Sequence, residues 1–391
     1  MRRRIGSWFV CAAVCVCVTA TGLGESADPS RLVVHEWGTF TSIAGDEGTA
    51  VEWLPQSGPQ DLPCFVERTR FDNIKGILSG TVRMETPVLY FYAPEPATVN
   101  VTVGFKQGLI TEWYPRAKVT PAAFNATTLR NPWSGEIAWK DVKVLPRTSA
   151  SFPSETGSSH YYAARQTDAA PLQIGTQSEK FLFYRGVGRF APPIAATLRN
   201  GQLHLRTIDG EPVGDVIVFE NYGGSIRFGT GRGVSSRYTM ALPSRAGELK
   251  RLHGELERML VAEGLYPREA AAMIETWRDS WFEEGTRLFY VASRKSVDEI
   301  LPLTITPAPT AVERVFVGRM EILTPRTLEN VRQAIMGDDV VTFGRYGRFL
   351  EPITRRIDAS LAGSERTTFE HRLQRAYHAY YASLAPTTAC R

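Results

Sequence analysis

A histidine and a glutamate stand side by side in LVVHEWGTFTS (residues 32–42), a run whose other members read as a buried β-strand. An imidazole titrates near neutral pH and a carboxylate can act as base or nucleophile, so His35 and Glu36 are candidate catalytic groups. The pair begins like the zinc-protease pattern HExxH, but Thr39 holds the fifth position and the segment is strand-like rather than helical. Alternate residues of a strand face opposite sides. His35 then shares a face with Val33, Trp37 and Thr39, and Glu36 shares the other with Val34, Gly38 and Phe40. Two readings are open. Either the strand lines a cleft, or each group belongs to an internal network, with an arginine from a neighbouring strand against Glu36, because an unpaired buried carboxylate costs several kcal/mol.

A second acidic pair, Glu283-Glu284, lies in WFEEGTRLFY. With Gly285 as a helix stop, both carboxylates sit at the negative pole of the preceding helix, which calls for a compensating cation. Arg287 and Arg278 are the local candidates, and a metal or cationic ligand is the other. Paired carboxylates suit glycoside hydrolysis, with Glu36, Glu85, Glu112 and Glu284 as members to consider. His35, Glu36 and Glu284 head the catalytic candidates. Other motifs are incomplete: GGSIR (223–227) lacks the last glycine of a nucleophile elbow, and FGTGRG lacks the Lys-Ser/Thr of a phosphate loop. His371 and His378 on one helix stand about 10 Å apart along the axis, too far for one metal. No metal site and no cofactor is expected.

Aromatic residues give a binding alternative. Trp113-Tyr114 in ITEWYPRA and Trp133 in NPWSGE stand beside prolines or turn residues, where exposed rings stack on sugars or anchor a partner, unless they pack into the core. Trp37 joins them as a candidate ligand contact. Arg185, next to Tyr184 in FLFYRGVG, is placed either to clamp a carboxylate or sulfate or to neutralise Glu36.

The elements that must position these groups are mostly strands. From residue 31 to about 243, short β-branched and aromatic runs such as TVRMETPVLYFY, TVNVTVGF and DVIVFENY alternate with Gly, Pro, Asn and Asp turns. Leucines at helical spacing over 249–260, and Pro267 opening a second apolar stripe through Ile274, Trp277 and Trp281, predict a helical hairpin. Strand character returns to about 325, and 326–336 and 346–384 read as helices. The fold class expected is α+β: an antiparallel β-sandwich-like body with an inserted helical hairpin and a helical C-terminal region. The divisions are 1–26 signal, 27–244 sandwich-like domain, 245–285 hairpin, 286–325 returning strands and 326–391 helical region.

The first residues, MRRRIGSWFVCAAVCVCVTA, have the basic start, apolar stretch and small-residue end of a secretory signal. Contact with a membrane is expected only if residues 5–24 stay uncleaved. Of 45 basic and 41 acidic side chains, three arginines and one glutamate fall in residues 1–26, leaving a net charge of +2. Such a surface has no global field for nucleic acid. Beyond the signal only Cys64 and Cys390 remain, and whether they pair stays open.

The phrases LVVHEWGTFTS, METPVLYFY, GLITEWYP, HYYAARQTDAAPL, KFLFYRGVG and ETWRDSWFEEGTRLFY, in that order, resemble a family of uncharacterised secreted bacterial proteins over about residues 32–325. The resemblance implies a shared fold and an extracytoplasmic home, and it assigns no activity or site residue. The preferred expectation is a secreted or periplasmic, envelope-associated binding protein whose partner is a glycan or another envelope component. A carboxylate-dependent, glycosidase-like hydrolase and a structural component of the envelope are the alternatives.

Overall fold

The computed structural model describes residues 31–56, 62–71, 78–155 and 159–384. The signal segment and Cys390 lie outside them. Among the described residues the largest sheet has nine strands, in the order Ser225–Val234, Gly214–Tyr222, Gly285–Val291, Ala311–Ile322, Val33–Ala44, Val82–Tyr92, Leu182–Gly188, Gly108–Tyr114 and Glu67–Arg68. Val33–Ala44 runs parallel to Ala311–Ile322 and antiparallel to Val82–Tyr92. A parallel pair needs a long crossover, and nearly the whole chain supplies it.

One face of this sheet carries two smaller sheets. A six-stranded sheet that includes Ala97–Lys106, Ser134–Val144 and Leu303–Thr306 encloses a core with Val34, Phe40, Met84, Phe91 and Phe316. A three-stranded sheet, Ile194–Arg199, Gln202–Thr207 and Arg237–Ala241, packs on Val218, Leu288, Tyr290 and Met320. The opposite face carries helices. Leu249–Ala262, Pro267–Thr276 and Arg278–Trp281 cover Trp37, Tyr90, Phe183, Phe219 and Phe289. Pro325–Met336, Val340–Gly344, Leu350–Ser360 and Gly363–Ser383 cover Ile43, Trp53 and Leu323. The class is α+β, a sheet-on-sheet body with a helical third layer.

Three local expectations are corrected. The stretch read as one helix from 346 breaks at Leu361-Ala362, both extended, and restarts at Gly363 with φ +56°. RKSVDEI forms a helix, Arg294–Ile300, because Ser293 caps it through a side-chain bond to the Ser296 amide. The hairpin's last helix stops at Trp281, so Glu283 and Glu284 stand in a bend before the strand that opens at Gly285. Among the described residues no helix is long and apolar enough to cross a membrane.

Candidate functional site

The strand bearing His35 and Glu36 alternates as its sequence requires. On the helical side His35 Nδ1 lies 2.7 Å from Glu269 Oε2. Glu269 also accepts from the Tyr92 hydroxyl at 2.7 Å and the Tyr266 amide at 2.9 Å, the latter being a helix N-terminal bond at the start of Pro267–Thr276. Tyr266 and Tyr92 enclose the imidazole, with centroids at 4.4 and 5.3 Å. On the other side Glu36 accepts from the Tyr184 hydroxyl at 2.5 Å and from Arg314 Nε at 2.5 Å. Arg314 donates further to Asp298 and the Leu301 carbonyl, both at 2.7 Å. The two ionisable groups are thus a clasp. His35 ties the hairpin to the central strand, and Glu36 ties it to its neighbours. They do not converge.

The other sequence candidates disperse. Trp37, Trp113, Tyr114 and Trp133 are 0%, 7%, 4% and 5% exposed, packed in three separate clusters rather than offered as ring platforms. The burial of Trp113 follows from its place inside a strand whose neighbours on both sides are paired. Trp133 is capped by the Arg189 guanidinium, 3.9 Å from its ring. Arg185 does not neutralise Glu36, because it faces the helical side and donates to Thr86 Oγ1 at 3.1 Å. Glu284 accepts from the Gly223 amide at 2.6 Å. Arg287, expected to offset the acidic pair through its carboxylates, instead donates to the carbonyls of Trp281, Glu283 and Glu284 and to Glu321 at 3.0 Å.

What the motifs build jointly is a polar band on the helical face, between the apolar patch under the hairpin and the one under the C-terminal helices. Crossing the sheet it contains Arg287, Glu321, Arg319, Thr41, Thr39, Glu85, Arg83 and Arg185, all buried. Three adjacent strands change register here, between Trp37 and Thr39, around Thr86-Pro87, and beside Arg185. Bulges re-aim side chains and concentrate near functional sites. Thr86 has φ +46°, a costly conformation for a β-branched residue. Gly38 is glycine because a Cβ there would lie 3.1 Å from the Pro87 backbone and 2.8 Å from the Phe316 ring. The glycine of HEWG and the Thr-Pro of METP are therefore mated.

Electrostatically the band is uneven. Burial pushes the Glu85 carboxyl up, but Arg348, Arg83, Arg319 and Arg185 outweigh it and hold it below the usual carboxylate range. Burial likewise raises Glu321, only partly opposed by Arg287 and Arg319. Arg319 is the outlier. It is fully buried, stacked over Phe349 at 4.9 Å, and its Nη2 donates to Glu283 Oε1 at 2.5 Å. Its Nε and Nη1, like the Thr39 and Thr41 hydroxyls, have no partner among the described residues. Burial, with Arg287 and Arg348 nearby, lowers its pKa.

The band reaches solvent at Glu283 and Arg348, whose side chains are 17% and 15% exposed. There it adjoins a pocket of about 580 Å³ between the last two helices. Gly347 belongs to both: it lines the pocket, and a Cβ on it would stand 3.7 Å from Glu283 Oε2. Tyr377 and Tyr381, at successive turns, present rings 6.0 Å apart and 15° from parallel. Thr354, Gln374 and Glu351 supply polar groups. Glu351 Oε1 accepts from Arg355 at 2.9 Å, Oε2 has no partner among the described residues, and burial raises its pKa. Burial pushes Tyr377 up to about 12. The sequence reading missed these residues, although Tyr377, Tyr380 and Tyr381 in AYHAYYA lie at helical spacing and Arg319 is an ionisable group in an apolar strand, the signal that drew notice to HEW.

No family model matches the chain, and no curated protein does. Solved structures of the yeast δ-COP-I μ-homology domain, free and complexed with a Dsl1 WxWxV peptide, align at 8% identity over 75% of this chain and 97% of theirs. The TM-score is 0.27 for each, too low to carry an argument.

Proposed function

We propose that this chain is an extracytoplasmic, non-catalytic binding protein of the cell envelope that takes a saccharide in the tyrosine-lined pocket between its last two helices. The observation that carries the reading is the pairing of near-parallel Tyr377 and Tyr381 rings with the Glu351 carboxylate in the lining of one concavity. Sugar C–H faces stack on such rings, and sugar hydroxyls donate to carboxylate oxygens. The volume falls in the range of small-molecule sites. The signal-like N-terminus and a Cys64 that is disulfide-bonded, its partner outside the described residues, support an oxidising compartment. Against the hydrolase alternative, both Glu36 oxygens are engaged on the face of the sheet away from the pocket.

The test is calorimetric titration of the mature protein with ligands chosen from a glycan array. Tyr381→Ala is expected to weaken binding by roughly 2- to 10-fold, the worth of one aromatic contact. Glu351→Gln is expected to weaken it by about 10-fold or more, the worth of a charged hydrogen bond. Tyr381 is 55% exposed, so its truncation spares the core. A blank array, or ligands indifferent to both substitutions, would overturn the reading.

A further inference from the structure

The saccharide pocket backs onto the polar band, and the two together say more about the ligand than the pocket does alone. We infer, on the footing that a saccharide occupies that pocket, that the ligand is acidic, and that its carboxylate or sulfate group is received by Arg319 and Arg348 at the inner end, in a seat that the Glu283 carboxylate fills when no ligand is present.

Hydrogen-bond accounting distinguishes this seat from an ordinary buried ion pair. Arg287, on the adjacent strand, spends all three guanidinium nitrogens on Glu321 and three backbone carbonyls. Arg319, equally buried, spends one, on Glu283. The Thr41 side chain, opposite Arg319 in the ladder and on the same face, and that of Thr39 add two hydroxyls without partners among the described residues. Native interiors rarely leave such donors unmatched. Glu321 Oε1 in the same band also lacks a partner among the described residues, and an added oxyanion, which accepts through several oxygens at once, would supply acceptors to the remaining donors, the planar guanidinium meeting it in two prongs.

Glu283 has the attributes of a displaceable occupant. It stands in the short bend between Arg278–Trp281 and Gly285–Val291, with its backbone carbonyl held by Arg287. Its side chain can therefore swing while the chain stays fixed. It is among the more exposed members of the cluster, and its Oε2 would stand 3.7 Å from a Cβ on Gly347, which lines the pocket. Arg348 pairs with Glu85 at 2.8 Å and lies 4.0 Å from Glu283 Oε1, so its charge is already directed at the opening.

The experiment titrates wild type and Glu283→Gln with a neutral oligosaccharide and its uronic-acid counterpart, and follows thermal unfolding in sodium sulfate against sodium chloride at equal ionic strength. In wild type the acidic sugar is expected to bind at least ~10-fold more tightly than the neutral one, with the preference shrinking as salt screens it. Glu283→Gln is expected to tighten the acidic ligand and leave the neutral one unchanged, and to raise the sulfate-dependent gain in Tm above that of wild type. Equal affinities for the two sugars in both proteins overturn the inference and leave the saccharide reading standing. If neither sugar binds, the saccharide reading falls and the sulfate arm alone decides. A larger sulfate effect in Glu283→Gln than in wild type upholds the oxyanion seat, and equal effects overturn it.

Discussion

Removing Arg314 is expected to be among the costliest single changes in the chain, and its contacts explain why it should cost more than removing the charge of its partner. Both side chains of the Arg314–Glu36 pair are 0% exposed. If Glu36 becomes Gln, Arg314 still holds Asp298 and the Leu301 carbonyl, and Tyr184 still has an acceptor. If Arg314 becomes Leu, a fully buried carboxylate keeps Tyr184 alone. Breaking a buried pair in that way costs about 3–5 kcal/mol, because the remaining charge is uncompensated. At ~2.1 cal/mol/K of unfolding entropy per residue, a chain of 391 residues has ~0.8 kcal/mol/K, so the loss corresponds to ~4–6 °C in Tm. The decisive comparison is a double-mutant cycle by urea unfolding. Arg314→Leu made in a Glu36→Gln background should cost about 2 kcal/mol less than in wild type, since no charge is then stranded. Equal costs in the two backgrounds would refute the reasoning and make Arg314 a packing residue.

Other expectations rest on single contacts. Gly318→Ala drives a Cβ into the ring of Tyr290, which is itself fully buried, so a loss of about 1–3 kcal/mol or more is expected from overpacking; an unchanged urea midpoint would mean the ring is freer than its surroundings suggest. Glu269→Ala removes the acceptor shared by His35, Tyr92 and the Tyr266 amide, and should raise hydrogen exchange in the hairpin helices before it does so in the central sheet; uniform exchange would argue against the clasp. Burial lowers the His253 pKa, with Glu275 opposing. Below the unfolded value of 6.5 the unfolded chain binds a proton that the folded imidazole resists, so this group's contribution to stability falls as pH drops from 6.5 through the folded pKa and is constant above 6.5. His253→Gln should flatten that slope between pH 7.5 and 5, and a slope that persists would assign it to another group.

Legibility in the sequence varied with the distance between interacting residues. Alternation along LVVHEWGTF correctly put His35 and Glu36 on opposite faces, because facing is a property of one strand. Their partners, Glu269 and Arg314, come from segments more than 200 residues away, and no local pattern names them. Residues 346–384 read as continuous helix because their composition favours helix throughout, whereas the break is made by extended Leu361 and Ala362. Trp113 and Trp133 were ambiguous for a related reason: a neighbouring proline marks a turn, but whether the ring beside it is covered depends on elements elsewhere in the chain. The polar band was the least legible feature. Each motif contributes one or two of its members, so it exists only once five strands lie side by side.

The parallel pairing of Val33–Ala44 with Ala311–Ile322 also dictates when this protein can become itself. Register partners across that seam are 278 residues apart, as in Glu36 and Arg314. The middle of the main sheet is therefore closed by a strand that leaves the ribosome 278 residues after the one it pairs with. Loop closure over such a span is slow, and native contacts that depend on it form late. A nascent chain that ends before residue 311 holds a twelve-residue strand, Val33–Ala44, with one hydrogen-bonding edge open and its side chains uncovered by the later helices. Such an edge invites pairing with other chains. The fold thus defers its own completion until the strand Ala311–Ile322 has been made, and a chaperone that binds Val33–Ala44 would be guarding the seam that strand later closes.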